Sequence, residues 1–235
     1  MSGIRYDDSI LNHFVLTVKL AWPMLLLGVV LLLLALNAMP VLAIIPAVFL
    51  VFTVFFFRNP RRQAPGQEGA VLAPADGKVI DIDTVVEEDF IKGPCKRITI
   101  FLSLHNVHIN RAPVSGTIVY RRYRPGKFIP AFKSHASEIN EKNYIGIDTG
   151  EQKVLMTQIT GFVARRIVCW VKEGEPVGRG QAIGAIKFGS CTEVFVPPDT
   201  SLRVEAGDVV RAGETILGEM TAETINKEVR ICLWE

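Results

Sequence analysis

The segment Ile186-Lys187-Phe188-Gly189-Ser190-Cys191-Thr192-Glu193-Val194 sets a glycine and a serine between two apolar, strand-like runs. Glycine can adopt backbone angles that other residues avoid. In a strained Gly-Ser peptide, the Ser190 hydroxyl can attack the Gly189 carbonyl and turn the amide into an ester. β-Elimination then breaks the chain and leaves a dehydroalanine, which becomes a pyruvoyl group at the new N-terminus. The same pair also suits an ordinary hairpin turn. Asp76, His105 and His108 are further candidates for proton chemistry. Asp76-Gly77 is equally a common turn pair. The two histidines suit proton transfer, a polar strand end or metal ligation. No third ligand lies near them in sequence, so no metal is expected. The four cysteines, Cys95, Cys169, Cys191 and Cys232, show neither CxxC spacing nor Cys/His clustering. This argues against a zinc site or a disulfide framework and fits a reducing compartment. The Gly178-x-Gly180 stretch does not open a helix after a strand, so a dinucleotide fingerprint is not indicated.

These residues need elements to hold them. The chain of 235 residues has room for one compact domain and an appendage, or for two small domains, and its formal charge of +2 is too small to suggest nucleic acid as a partner. From Leu20 to Phe57 there is no Asp, Glu, Lys, Arg or His. With Asn37-Ala38-Met39-Pro40 as a turn, this run predicts two apolar helices, over about 14–36 and about 41–57. Lys19 flanks one side, and Arg58, Arg61 and Arg62 the other, so both ends are expected on the cytoplasmic face of the cell membrane. Pro23 and Pro46 interrupt the spans, which leaves open a hairpin that dips into one leaflet. Asp7 and Asp8, with no small-residue site after the apolar run, argue against a cleaved signal peptide.

Past Arg62 the sequence turns to short β-branched runs divided by Gly, Pro and Asp, such as Gly77–Ile82, Arg97–Leu102 and Thr117–Tyr120. Helical periodicity is poor outside Phe132–Tyr144. Two kinds of repeat appear. Ala73-Pro74-Ala75-Asp76-Gly77-Lys78-Val79 is echoed by Ala112-Pro113-Val114-Ser115-Gly116-Thr117-Ile118, and Val171–Ile183 is echoed by Val204–Ile216. The second kind, V-x-x-G-[DE]-x-V-x-x-G, resembles the units of biotinyl and lipoyl domains. The expected fold is therefore mainly β: a barrel-sandwich hybrid, biotinyl/lipoyl-like, behind an N-terminal apolar α-helical hairpin. The domain division expected is 1–62 for the membrane-associated segment and 63–235 for the β-rich domain.

Four blocks, in order, resemble the short bacterial and archaeal form of the phosphatidylserine decarboxylase family. They are Ala73–Lys78; Leu102-Ser103-Leu104-His105-Asn106-Val107-His108-Ile109-Asn110-Arg111-Ala112-Pro113; Gly126-Lys127-Phe128 running on to Ala136–Asn143; and Phe188-Gly189-Ser190 followed by Val194-Phe195-Val196-Pro197. The hairpin ending in Phe57-Arg58-Asn59-Pro60 is similar to theirs as well. The resemblance implies self-cleavage at Gly189–Ser190 into chains 1–189 and 190–235, with Ser190 becoming the pyruvoyl cofactor. It implies that Asp76 is the acid of the processing relay and that a histidine activates the serine or handles the substrate proton. Longer members carry His-x-x-His. Aligned on Leu102-Ser103 and Pro113, His108 matches the first of that pair and Arg111 falls at the second, so His108 is preferred and His105 is the alternative. Cys191 is assigned no role.

The resemblance further implies decarboxylation of phosphatidylserine to phosphatidylethanolamine and CO2. The substrate amine would form a Schiff base with the pyruvoyl carbonyl, which acts as electron sink, and His108 would return a proton to carbon. Neither pyridoxal phosphate nor a metal is expected. The expected partners are phosphatidylserine and membrane lipid, the two chains of one precursor, and a second copy in a homodimer. Tyr120–Lys133 mixes cations with aromatics, so Arg122, Arg124, Lys127 and Phe128 suit contact with anionic headgroups, or else form a solvated basic loop. An archaetidylserine-like lipid shares the reacting headgroup, and an inactive family member is a further alternative. A carrier domain would need a modifiable lysine at a hairpin tip, and between Ile183 and Val204 only Lys187 is present, in Ile-Lys-Phe. A membrane-fusion adaptor would need a long heptad hairpin, which is absent from the sequence.

Overall fold

The structure is a computed structural model and describes residues 10–129, 139–161, 166–187 and 190–221, with the backbone alone for 10–14 and 190. The chain divides into two units. One runs to Arg61 and includes Leu104–Val107. The other contains Arg62–Ser103 and the chain from His108 onward.

The first unit is helical. Helix α1 (Ile10–Ala38) begins earlier than the sequence suggests, and Pro23 sits within it without ending it. It stops where Met39 turns extended (φ −156°) ahead of Pro40, as a residue preceding proline tends to do. The Asn37 amide caps the last turn by donating to the Leu33 carbonyl at 2.7 Å. A 3-10 turn, Pro40–Ala43, leads into α2 (Ile44–Phe56), with Pro46 in its first turn, where a missing N–H is tolerated. Arg58 closes α2. Its guanidinium donates to the Phe55 carbonyl at 2.8 Å and lies over the Phe55 ring at 3.9 Å. Val15–Ala38 is long and apolar enough to cross a membrane, whereas Pro40–Phe56 is a shorter apolar stretch. Leu34, Val41, Ile45 and Val51 are each more than 60% exposed. A contiguous apolar surface of this kind marks a face made for something other than water.

The second unit is mainly β. Its strands, in chain order, are β1 (Ala70–Leu72), β2 (Gly77–Glu87), β3 (Gly93–Leu102) and β4 (Ile109–Arg111). There follow β5 (Gly116–Arg124), β6 (Lys142–Asp148), β7 (Lys153–Thr160), β8 (Arg166–Cys169), β9 (Pro176–Val177) and β10 (Ala182–Lys187). The last are β11 (Ser190–Val196), β12 (Ser201–Leu202), β13 (Val209–Val210) and β14 (Ile216–Glu219). A curled eight-stranded sheet has the order β13-β2-β3-β11-β7-β6-β5-β9. Two three-stranded sheets, β1-β14-β12 and β4-β10-β8, complete the unit. One core joins all three, with Val79, Ile100, Ile145, Met156 and Val194 from the large sheet meeting Val71, Ile183 and Leu217 from the small ones. The helical periodicity at Phe132–Tyr144 holds at Ile139 and stops short of its far end, where Lys142–Tyr144 begin β6 and pair with β7; residues 132–138 lie outside the described residues.

The sequence repeats are repeats of structure, and each copy of one kind grips a copy of the other. Gly174 and Gly207 both have positive φ, 84° and 111°, as do Gly180 and Gly213, at 78° and 74°. The N–H of Gly174 donates to Ile118 and that of Gly207 to Val79, each at 2.8 Å. Likewise Gly180 donates to Ala112 and Gly213 to Ala73, again at 2.8 Å. The equivalent glycines 180 and 213 lie against each other, a Cβ on Gly213 falling 3.5 Å from the Gly180 Cα. The unit is therefore built around a local two-fold relation that passes between these glycines.

A side chain at 213 would be strained by its φ and would meet the Arg111 Cδ at 2.9 Å. Gly213→Ala is expected to destabilise the protein by about 1–3 kcal/mol. Gly66→Ala, which meets nothing within 4 Å, should change stability by under about 0.5 kcal/mol. Thermal unfolding of the full chain in detergent measures both; equal stabilities would contradict the strained-turn reading.

Candidate active site

Strand β11 pairs with β3 on one side and β7 on the other, so its register fixes what lies level with each residue. At its start, Ser190 is level with Leu102 and Thr160. One same-face row further in, Thr192 is level with Ile100 and Gln158, and Gln158 with Asn143. The next such row, Ile98, Val194, Met156 and Ile145, is apolar. Ser190 thus stands at the end of the sheet, beyond a polar row, with the core behind it. Phe188 and Gly189, and with them the expected scissile bond, lie outside the described residues.

His108 comes to this same end from another sheet. β4 pairs with β10 at Ile109↔Ala185, and the Ile186 N–H donates to the His108 carbonyl at 3.1 Å. His108 is therefore buried beside the strand that leads to Ser190. His105 is exposed and belongs to the other unit, where its carbonyl accepts from Arg58 at 2.7 Å. Of the two histidines, His108 is the one built into the β unit. Lys187 ends β10 level with Arg166, and burial, helped by that arginine, pushes its ammonium below the usual lysine range. Cys191 is buried. Desolvation and Glu193 push its thiol far above the usual range, which leaves it without the thiolate that a nucleophile needs.

Asp76 immediately precedes β2, whose Lys78 is level with Phe101, itself level with Cys191. The acid is thus at the Ser190 end of the sheet, two strands from β11, or about 10 Å across the ladder. It is buried, and Arg62 Nη2 donates to both its oxygens, at 3.0 and 2.7 Å. Arg62 Nη1 meanwhile holds Glu214 at 2.9 Å. Asp76 Oδ1 also accepts the Ala212 N–H at 2.8 Å. The two-fold relation gives that last bond a counterpart, since Ser115 Oγ accepts the Arg179 N–H at 2.9 Å. A hydroxyl therefore meets the structural need at this position, and the carboxylate adds the ion pair with Arg62. Nothing in the sequence ties Arg62 to Asp76, because an arginine just after an apolar run reads there as a flanking charge. Arg111 donates from its guanidinium to the Gly180 carbonyl at 2.9 Å, inside the repeat scaffold.

The basic segment is divided. Arg122 pairs with Asp89 at 3.0 Å on the surface. Arg124 is exposed near the Tyr144 hydroxyl, which burial pushes upward and this arginine draws back. Lys127 is bound through its backbone to Ile139 and Glu141, and Phe128 is 36% exposed. Among the described residues, no three His, Cys, Asp or Glu side chains gather to hold a metal ion.

A family profile described as phosphatidylserine decarboxylase matches residues 49–218. A phosphatidylserine decarboxylase proenzyme of Carboxydothermus hydrogenoformans is 55% identical over 170 residues, which is 72% of this chain and 80% of the relative. One of Symbiobacterium thermophilum is 43% identical over 200 residues, 85% of this chain and 93% of the relative. One of Syntrophus aciditrophicus is 46% identical over 178 residues, 75% and 84% of the two chains.

Asp76→Ser keeps an acceptor for the Ala212 N–H, whereas Asp76→Ala leaves that buried donor unpaired. The alanine variant should be the less stable of the two by about 1–3 kcal/mol. Equal unfolding midpoints would contradict the acceptor role. For Cys191, burial favours the protonated thiol. Its contribution to stability is therefore full at neutral pH and is lost as pH climbs past the ordinary thiol value of about 8.5. Iodoacetamide at pH 8 should modify Cys191 only after denaturation, as read by peptide mass; labelling of the folded protein would contradict its burial.

Proposed function

Since the chain belongs to the phosphatidylserine decarboxylase family, we propose that it cleaves itself at Gly189–Ser190 and decarboxylates phosphatidylserine at the membrane surface. The name proenzyme, carried by the relatives, accords with a processed precursor. A pyruvoyl group at position 190 would supply the carbonyl that condenses with the substrate amine and takes up the electrons released with CO2. The chain fits such a group at this position. β11 is laddered on both sides from its first residue, so a new N-terminus at 190 would stay pinned between Leu102 and Thr160 after the preceding bond breaks. Residues 190–235 would also remain bound to residues 1–189 through β13 on β2 and β14 on β1.

The observation that carries this reading is the shared end of the sheet. Ser190 begins β11 there, and the strand leading to it is hydrogen-bonded to the His108 backbone. In the proposed roles, His108 carries a proton between the reacting serine or the substrate carbon and its surroundings, since an imidazole changes charge near neutral pH. Asp76, paired with Arg62, completes the polar wall at that end. The apolar helices lie in the bilayer, and the positive charge of Lys19, Arg58, Arg61 and Arg62 keeps their ends, with the β unit, on the cytoplasmic face. Arg122, Arg124, Lys127 and Phe128 meet the anionic headgroups there.

The test is conversion of phosphatidylserine in mixed micelles, read as phosphatidylethanolamine formed and CO2 released, with an ether-linked serine lipid assayed beside it. Ser190→Ala should be inactive. His108→Ala should lose about 100-fold or more in turnover, and His105→Ala should stay within a few-fold of wild type. Full turnover by Ser190→Ala would overturn the reading.

A further inference from the structure

The polar row below Ser190 is made of uncharged side chains that bond to one another. Asn143 Nδ2 donates to Gln158 Oε1 at 2.8 Å, Gln158 Nε2 to Asn110 Oδ1 at 2.8 Å, and Asn110 Nδ2 to Thr192 Oγ1 at 3.3 Å. Asn110, Gln158 and Thr192 are fully buried, and Asn143 is nearly so. The chain of bonds runs from β6 to β7 in the large sheet, across to β4 in a small one, and back to β11 of the large sheet. It joins the strand after His108 to the strand that starts at Ser190, each time at the second residue beyond the candidate group.

Packing alone does not call for this arrangement. The next same-face row, Ile98, Val194, Met156 and Ile145, is apolar and equally buried. Buried amides cost desolvation and are worth keeping only when every bond is made, at which point they fix a single geometry. The backbone makes room for them. Gly184 is level with Asn110, and a Cβ there would fall 2.8 Å from Gln158 Nε2 and 2.5 Å from the Val168 carbonyl. Amides and hydroxyls also keep their charge state through the pH range in which a histidine and a carboxylate change theirs.

We propose that Asn110, Gln158 and Thr192 are positioning residues, whose hydrogen-bonded row sets the distance between the His108 strand and the Ser190 strand. This rests on the proposed self-cleavage at Ser190. The row lies one same-face step along β11 from Ser190. It acts by holding two strands of different sheets within the tolerance that an attacking oxygen and its proton acceptor require, where an error of 1 Å costs about 100-fold.

The experiment compares self-cleavage half-times of the full chain, freshly synthesised into detergent, by appearance of the chain that begins at 190. Gln158→Met and Thr192→Val remove one partner each while keeping volume, and Thr192→Ser restores the hydroxyl. Thr157→Val is the control. Its hydroxyl is buried on the opposite face of β7, with no hydrogen-bond partner among the described residues. Gln158→Met and Thr192→Val should cleave at least about 10-fold slower, with Thr192→Ser and Thr157→Val close to wild type and the Tm of Thr192→Val within about 4 °C. If Gln158→Met does not fold, the Thr192 pair decides alone. Thr192→Val cleaving at the wild-type rate, or Thr192→Ser as slow as Thr192→Val, would overturn the proposal. A wild-type chain that never cleaves would instead bring down the proposed function itself.

Discussion

Strand β11 is hydrogen-bonded along nearly its whole length to β3 and β7 at once, from Ser190 to Phe195. A strand in the middle of a sheet has its ends placed by its neighbours and not by the chain that leads into it. This constraint governs what can happen at position 190. A peptide bond just before such a strand can be cut without releasing the strand, because the ladder and not covalent continuity holds the new terminus. It also fixes the residues level with Ser190, Leu102 of β3 and Thr160 of β7, while His108 is bonded to Ile186 on the strand that precedes it.

The scaffold behind that strand is close to symmetric, and the candidate acid Asp76 sits where the symmetry is broken. Two copies of a Pro-x-[Asp/Ser]-Gly segment each bind one copy of the glycine-turn repeat, through the same backbone bonds at 2.8 Å. Ser115 and Asp76 perform the same capping task in the two halves. Only the Asp76 half gains a buried ion pair, with Arg62 from the segment after the helices. Only the Asp76 half also lies beside β3, the strand that flanks β11. A symmetric fold thus becomes a directional one through a single hydroxyl-to-carboxylate difference and its arginine.

Much of this was legible in the sequence. The V-x-x-G-[DE]-x-V-x-x-G units marked real turns because glycine is the residue that tolerates the positive φ those turns require. The strands around Val79, Ile100 and Ile118 were legible from β-branched runs bounded by turn residues, and the apolar hairpin from its lack of charge. The Arg62–Asp76 pair was not, since an ion pair between separate elements leaves no periodic trace. Nor was the row Asn110, Asn143, Gln158 and Thr192. Its members are far apart in sequence, and each taken singly is a polar residue of the kind usually found on a surface. Helical spacing at Phe132–Tyr144 overran only at its C-terminal end, because β6 is buried on both faces at its start, which removes the alternation that identifies a strand. Alignment with a family pattern preferred His108 to His105, and the sequence carries no sign that His108 is buried and His105 exposed.

In the proposed reaction, position 190 becomes a carbonyl-bearing N-terminus held inside the sheet. The most direct measurement is to denature the purified protein, treat it with an aminooxy reagent and weigh the chains. Two masses are expected, for residues 1–189 and 190–235, with one oxime on the smaller chain and none on the larger. A single chain of 235 residues, or a smaller chain that begins with an intact serine and takes no label, would contradict it.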